Sequence, residues 1–347
     1  MKILVLTTVH HPDDTRIRER LIRTLASRFE VTYASRTPGP TDLTGLVWVP
    51  LRGNRLRRWF GSAKLALFNR YQVIVLHDPE LIPIGFLGRL RRRSVVFDLH
   101  ENLPEQASSK AWVPHAIRPL MRWVSRMALK AAERSFSVTL AEEGYRRLFK
   151  KVHEVFPNYP CVADWPEVAE GDGSAVYVGD VAPLRGLRTA VMAVGLAGVP
   201  LRIIGPVTER FRNELQDLAD REGSVISFTG RLPNSEALAV ASTASVALSP
   251  LNDVGNYRNS LPTKLLEYAA LGLPIVATDL PGTREILEEV PSAILVRPED
   301  PEAMAAAIKE MASEEWKKKA WCNRMEFRRR WVWPEEAVLS FYSGLLR

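Results

Sequence analysis

Hydrophobic and polar positions follow two alternating rhythms along the chain. Short β-branched runs fall at residues 2–8, 31–34, 46–49, 73–76, 95–99 and 136–139. Amphipathic stretches at 15–28, 82–91 and 117–133 lie between them and predict helices. Val73-Ile74-Val75-Leu76 is apolar on both faces, which is how a parallel strand covered on both sides reads. The alternation predicts right-handed βαβ units in a doubly wound sheet.

The rhythm stalls at Phe156-Pro157-Asn158-Tyr159-Pro160 and stays polar through Gly171-Asp172-Gly173-Ser174. Two close prolines fit neither a helix interior nor a central strand, so a domain boundary is expected between 157 and 158. A second series follows, with strands at 175–178, 201–204, 225–228, 245–248, 275–277 and 293–296. Its helices are expected at 187–196, 209–221, 235–241, 262–271 and 301–311. The fold class is therefore α/β, with two Rossmann-like domains at 1–157 and 158–330. A last amphipathic stretch, 331–347, carries Trp331, Trp333, Phe341, Tyr342 and Leu345. Aromatics at that density need a surface to bury against, and the first domain is one solution.

Composition narrows the class. Two cysteines in 347 residues give neither a disulfide framework nor a CxxC metal site, which points to a reducing compartment. No apolar run reaches the ~20 residues a membrane span needs, and Met1-Lys2 leads straight into a strand. A cytoplasmic protein is the expectation. Through Val155 the chain holds 27 Lys and Arg against 14 Asp and Glu; the remainder holds 20 against 26. The basic surplus thus sits in the first half. It suggests an anionic partner there, against the alternative of an ordinary solvated surface. No nucleic-acid recognition motif accompanies it.

In open α/β sheets ligands bind outside the carboxyl ends of the strands, so polar residues there are the candidates. A turn-rich loop reaches Asn259-Ser260-Leu261 and meets Pro262, which fits the first helical position. The free amides of such a first turn form an anion site. Lys264 stands in that turn, where a cation opposes the helix dipole. It either neutralises a bound diphosphate or extends to solvent. Glu267, a turn and a half on, could accept hydrogen bonds from two ribose hydroxyls. Arg185 has the forked donor set that grips two phosphate oxygens; capping a loop is the alternative.

These residues resemble a known pattern. Pro262-Thr263-Lys264-Leu265-Leu266-Glu267-Tyr268 through Gly272-Leu273-Pro274-Ile275-Val276 looks like the donor signature of retaining GT-B glycosyltransferases of family 4, also called group 1. Glu267 fits the second glutamate of that signature. Asn259 stands where many members carry the first, a departure common to one bacterial branch. The stretch Tyr177-Val178-Gly179 to Leu187 is similar to the first strand–loop–helix of the donor domain, with Arg185 at a phosphate position and Asp180 replacing an arginine. The stretches ending at Gly205 and at Arg231-Leu232 resemble strands that flank the base.

The first half carries the resemblance too. His10 to Ile17 is similar to the branch's His…Asp-x-Arg-Ile opening. There Asp14 or Thr15 caps the next helix, and Arg16 is a candidate to face the acceptor. His77 and His100 each follow a strand, and His100 aligns with a histidine that in relatives approaches the transferred sugar.

The resemblance implies GT-B architecture: two domains facing a central cleft, with the last helix crossing back to the first. It implies a retaining hexosyltransferase that uses a nucleotide-diphosphate sugar as co-substrate, with no cofactor and no metal. The catalytic set would be His100, Arg185 and Lys264. The donor would lie on Asn259, Ser260, Leu261, Pro262, Glu267, Gly205, Arg231 and Leu232. The acceptor, a glycan or lipid-linked glycan of a surface polysaccharide, would lie near His10, Asp14, Arg16 and His77.

Two rivals stand beside this reading: a sugar-nucleotide epimerase and a catalytically silent binding subunit. The helix within 110–134, with Trp112, Trp123 and the cations Arg118, Arg122, Arg126 and Lys130, and the pair Trp59-Phe60 suit an anionic membrane face. The alternative is an apolar stripe facing the core with a solvated basic back.

Overall fold

The apolar runs become the strands of two parallel sheets. The computed structural model describes every residue except Asp13 and residues 38–42, 105–113, 162–164, 167–170, 255–256, 259–260 and 346–347. The chain divides into two units, Met1–Asn158 with Trp333–Arg347, and Tyr159–Val332.

The first unit holds β1 (Lys2–Leu6), β2 (Glu30–Ser35), β3 (Leu46–Pro50), β4 (Val73–Leu76), β5 (Ser94–Leu99), β6 (Ser137–Leu140) and β7 (Glu154–Val155). Their order is β3-β2-β1-β4-β5-β6-β7, all pairs parallel. The order reverses between β1 and β4, where Leu6 lies opposite Leu76. That reversal is the switch point at which such sheets bind ligands.

Helical segments follow the strands. The helix expected over 15–28 runs as a π-helical stretch, Thr15–Ile22, then one turn of α1 (Arg23–Ala26). Next come α2 (Arg55–Phe68), α3 (Ile82–Leu90) and α4 (Arg118–Ser135). The side chains of β1, β4 and β5 are buried on both faces, apart from Lys2 and Ser94 at the starts of β1 and β5.

The second unit holds β8 (Ala175–Val178), β9 (Leu201–Ile204), β10 (Ile226–Gly230), β11 (Val246–Ser249), β12 (Ile275–Thr278) and β13 (Ala293–Val296), in the order β10-β9-β8-β11-β12-β13. Here the order reverses between β8 and β11. Its helices are α5 (Leu187–Ala197), α6 (Glu209–Glu222), α7 (Asn234–Ala241), α8 (Thr263–Leu271), α9 (Pro281–Leu287), α10 (Pro301–Met311) and α11 (Glu314–Arg330).

The last aromatic stretch is not one helix. Trp331 closes α11, and α12 (Glu335–Gly344) begins after Pro334. Trp333 sits between them and belongs to the first unit, where its Nε1–H donates to Thr24 Oγ1 at 2.9 Å. Phe156 meets Trp333 and Phe341 edge-on, at 6.4 and 5.7 Å between ring centres.

Candidate functional site

In the second unit the loop after β8 shapes the site. Gly179 has φ +137°, then a single 3-10 turn, Pro183–Arg185, ends at Gly186 with φ +73°. A Cβ on Gly186 would overlap the carbonyl of Pro250, just past β11. Only glycine lets this loop close onto the switch point. Arg185 is thereby held over the ring of Tyr257, 4.5 Å from its centre, with its Nε buried and without a hydrogen-bond partner.

Lys264 comes from α8. The helix starts one residue later than the sequence suggests: Pro262 is the N-cap rather than the first helical residue, and no side chain caps it. Lys264 does not extend to solvent. It is 8% exposed, its Nζ has no hydrogen-bond partner, and it lies 3.7 Å from the centre of the Tyr177 ring. Burial and then the nearby charge of Arg185 hold its pKa well below the usual lysine range. A bound anion there would relieve both the burial cost and the repulsion from Arg185. Tyr268 Oη accepts from the Val178 amide at 2.8 Å and locks α8 to β8. Glu267, on the same helix, is 6% exposed.

The other donor-side candidates separate. Asn259 and Ser260 lie outside the described residues. Leu261 and Leu232 are partly buried against an apolar cluster beneath α8. Arg231 is exposed after β10, two strands out from β8. Gly205 serves close packing, since a Cβ there would overlap the carbonyl of Gly179. A hollow of about 560 Å³ in this unit is lined by Ser242, Ser245, Leu273, Lys317 and Trp321, at the amino ends of β11 and β12. Neither Arg185 nor Lys264 lines it.

In the first unit, His10, His77 and His100 follow β1, β4 and β5 and meet at the switch point. His10 lies 4.6 Å from His100 between ring centres, and His77 lies 5.6 Å from it. They line a small cavity of about 120 Å³ together with Arg55, Glu80 and Glu101. Asp14 caps the π-helical stretch, accepting from the Arg16 and Ile17 amides at 3.0 Å each.

Arg16 departs from its expected place on the acceptor side. It is 5% exposed and turned inward. Its Nε and Nη2 donate to the two oxygens of Asp98 at 2.9 and 2.8 Å. Its Nη1 donates to the Phe156 carbonyl and to Asn158 Oδ1. His77 is turned inward as well, its side chain fully buried and its Nδ1 3.3 Å from Asp98 Oδ2.

His77, Asp98 and His100 each bring one potential metal-ligand atom within 4.8 Å of the others. Arg16 already spans both Asp98 oxygens, and Thr139 Oγ1 donates to one of them at 2.7 Å. The set therefore reads as the ion-paired frame of the site.

Sequence reasoning passed over Asp78 and Asp98, which organise this cluster. Asp78 Oδ2 accepts from the Thr8 amide at 2.5 Å and from the hydroxyls of Thr7 and Thr8. The available signal was a lone acid at the end of an apolar run, as in Val95-Val96-Phe97-Asp98-Leu99.

Residues 173–314 match the family model described as Glycosyl transferases group 1. The matched segment lies within the second unit. WcaL of Salmonella typhimurium, named for a role as a glycosyltransferase in colanic acid biosynthesis, is 30% identical over 136 residues. That match covers 37% of this chain and 33% of the relative's length. Sucrose-phosphate synthase from Thermosynechococcus elongatus superposes with a TM-score of 0.73 at 19% identity, covering 100% of this chain and 98% of that one. HepE of Anabaena, solved with UDP-glucose, gives 0.74 at 16% identity over 99% and 100% of the two chains. WaaG, a glycosyltransferase involved in lipopolysaccharide biosynthesis, gives 0.67 at 14% over 97% and 98%. At these identities the likeness is one of fold: the chain has the GT-B fold, with a Rossmann-like sheet in each unit. Arg185, Lys264 and Glu267 all lie inside the matched group 1 segment.

Proposed function

We propose that this chain transfers a hexosyl group, with retention of configuration, from a nucleotide-diphosphate sugar to a glycan or lipid-linked acceptor in cell-surface polysaccharide synthesis. The observation that carries the reading is the buried side-chain nitrogen of Lys264, without a hydrogen-bond partner, beside Arg185 at the β8/β11 switch point. Breaking a sugar–phosphate bond leaves negative charge on the diphosphate. A fixed field of cations and helix amides stabilises that charge without rearranging. Arg185, Lys264 and the first turn of α8 supply such a field, so no metal is required in this scheme. Glu267 accepts from the ribose hydroxyls, and His100 stands at the transferred sugar. The similar structure solved with UDP-glucose supports the donor class, and the names of WcaL and WaaG support the polysaccharide setting.

The test is a thermal-shift screen of UDP-, GDP- and other nucleotide sugars, followed by transfer assays with EDTA present. A selective upward shift, lost in Glu267→Ala, supports the donor site. No shift with any nucleotide sugar defeats it. Turnover that vanishes in EDTA defeats the metal-free scheme.

The acceptor's membrane setting rests on a separate observation. Helix α3 packs against both α2 and α4, and the three share one layer of the first unit. Together they expose Leu56, Phe60, Phe86, Leu90, Leu120 and Trp123, the last at 58%. The three helices hold ten Lys and Arg and one acid, Glu133, which is buried and accepts from the Lys150 and Lys151 amides. In α4 only Leu129, Ala132 and Glu133 are buried, so Leu120, Trp123 and Val124 face outward rather than into the core. Exposed aromatics on helices where cations so outnumber acids suit an anionic bilayer surface. No helix among the described residues is long and apolar enough to cross a membrane. Co-sedimentation with anionic vesicles but not neutral ones, weakened in Leu120→Ser/Trp123→Ser, is expected. Equal binding to both vesicle types overturns the docking.

A further inference from the structure

The two histidines at the first switch point approach nitrogen to nitrogen. His10 Nε2 and His100 Nε2 lie 3.0 Å apart. A gap of that length is a hydrogen bond and holds one proton. Both ring nitrogens of His10 also face carboxylates: Nδ1 is 3.4 Å from Asp14 Oδ2 and Nε2 is 3.3 Å from Asp78 Oδ1. Protons on both nitrogens satisfy every one of these contacts, with the Nε2–H shared between His100 Nε2 and Asp78 Oδ1, and make His10 an imidazolium.

The proton between the rings then belongs to His10, and His100 Nε2 accepts it. His100 Nδ1 faces the backbone carbonyl of Asp98 at 3.3 Å, a group that only accepts. His100 is thus neutral, with its own proton on Nδ1.

The carboxylates are held in turn. Asp14 is fixed by the amides it caps, and Asp78 by Thr7 and Thr8. Among the described residues, the charged or titratable groups around the pair include His77, Asp98 with its partner Arg16, Glu80 with its partner Arg55, and Glu101 on the cavity wall.

We propose that His10 is a positioning residue: a standing cation, clamped by Asp14 and Asp78, that fixes His100 as the neutral Nδ1–H tautomer. The role rests on the proposed transfer reaction, in which His100 stands at the transferred sugar. While the pair holds, neither nitrogen of His100 is a free base.

The charge balance agrees. Burial works against a charge on His10, but Asp14 and Asp78 outweigh it and push its pKa up to about 10. Burial, then the charge of His10, pushes His100 down to about 4.

The experiment is histidine ¹⁵N spectroscopy on the full chain across neutral pH, for the wild type, His10→Gln and His10→Ala, with thermal melts to confirm folding. The wild type is expected to show His10 protonated at both nitrogens and His100 as an untitrating Nδ1–H tautomer. His10→Gln keeps a donor but no charge, so the tautomer stays while the His100 midpoint rises toward the ordinary ~6.5. His10→Ala loses the tautomer as well, and the pH profile of kcat gains a limb at that new midpoint. A wild-type His100 protonated on Nε2, or one that titrates identically in the wild type and His10→Ala, overturns the assignment. If no nucleotide sugar is turned over, the proposed function falls, while the spectra still decide the role of His10.

Discussion

The Nζ of Lys264 lies over the ring of Tyr177, 3.7 Å from its centre, and has no hydrogen-bond partner. A ring face offsets part of the cost of burying a cation but satisfies none of its three donors. Lys264→Met keeps most of the apolar stem and removes a buried polar nitrogen that has no hydrogen-bond partner. It is expected to raise the melting temperature of the free protein while weakening nucleotide-sugar binding at least tenfold, about 1.4 kcal/mol. Paired melting curves with and without the nucleotide check both halves; a variant that binds normally would remove Lys264 from the donor site.

Binding should also take up a proton. Lys264 is held well below its usual range in the free chain, first by burial and then by Arg185. A bound diphosphate reverses that electrostatic bias and raises the pKa. Affinity is therefore full below the free-state value and falls as pH rises through the window up to the bound-state value. Calorimetry in buffers of different ionisation enthalpy measures the uptake, which should disappear in Lys264→Met.

Arg16 and Asp98 form a buried pair with two parallel hydrogen bonds. Removing one partner leaves the other charged and unpaired, at a cost of about 3–5 kcal/mol. Arg16→Ala is expected to lose that much in urea denaturation, and Arg16→Lys to recover little, since an ammonium lacks the fork. Burial would raise the Asp98 pKa, but Arg16 and His77 outweigh it and hold it well below the usual range. Its stabilisation is present above the unfolded value of ~3.9 and is lost as pH falls below that toward the folded value. Acid unfolding of Arg16→Ala should be correspondingly less steep.

Trp333 donates to Thr24 Oγ1, and its ring stands 5.8 Å from the Arg16 guanidinium. Trp333→Phe keeps a ring but no donor and is expected to cost about 1 kcal/mol. Thr24→Val should cost a similar amount, and the double variant less than the two combined, because both remove one bond.

The strands are legible because buried parallel strands are written as apolar runs; β4, β8, β9 and β13 match residue for residue. Three helices are not. In α2 the core-facing residues Ala63 and Ala66 are small, and Leu56, Phe60 and Phe68 face outward, which blurs the stripe. α11 buries only Ala320 and Phe327. α9 is seven residues long, too short for a period to emerge. The final helix reads too long in the sequence because aromatic content hides the break at Pro334. At the site, position alone finds the strand-end histidines and the α8 lysine. It does not find the pairing of Arg16 with Asp98, because the two lie 82 positions apart and only the sheet brings them together.

The order of synthesis follows from where Trp333 and α12 belong. Residues 1–158 leave the ribosome early, but the segment that covers Phe156 and reaches Thr24 is made only after the whole second unit. Until then the first unit stands with an uncovered aromatic seam. A nascent chain stalled before Trp333 should therefore depend on chaperones and yield to proteases, whereas the contiguous second unit can mature without waiting.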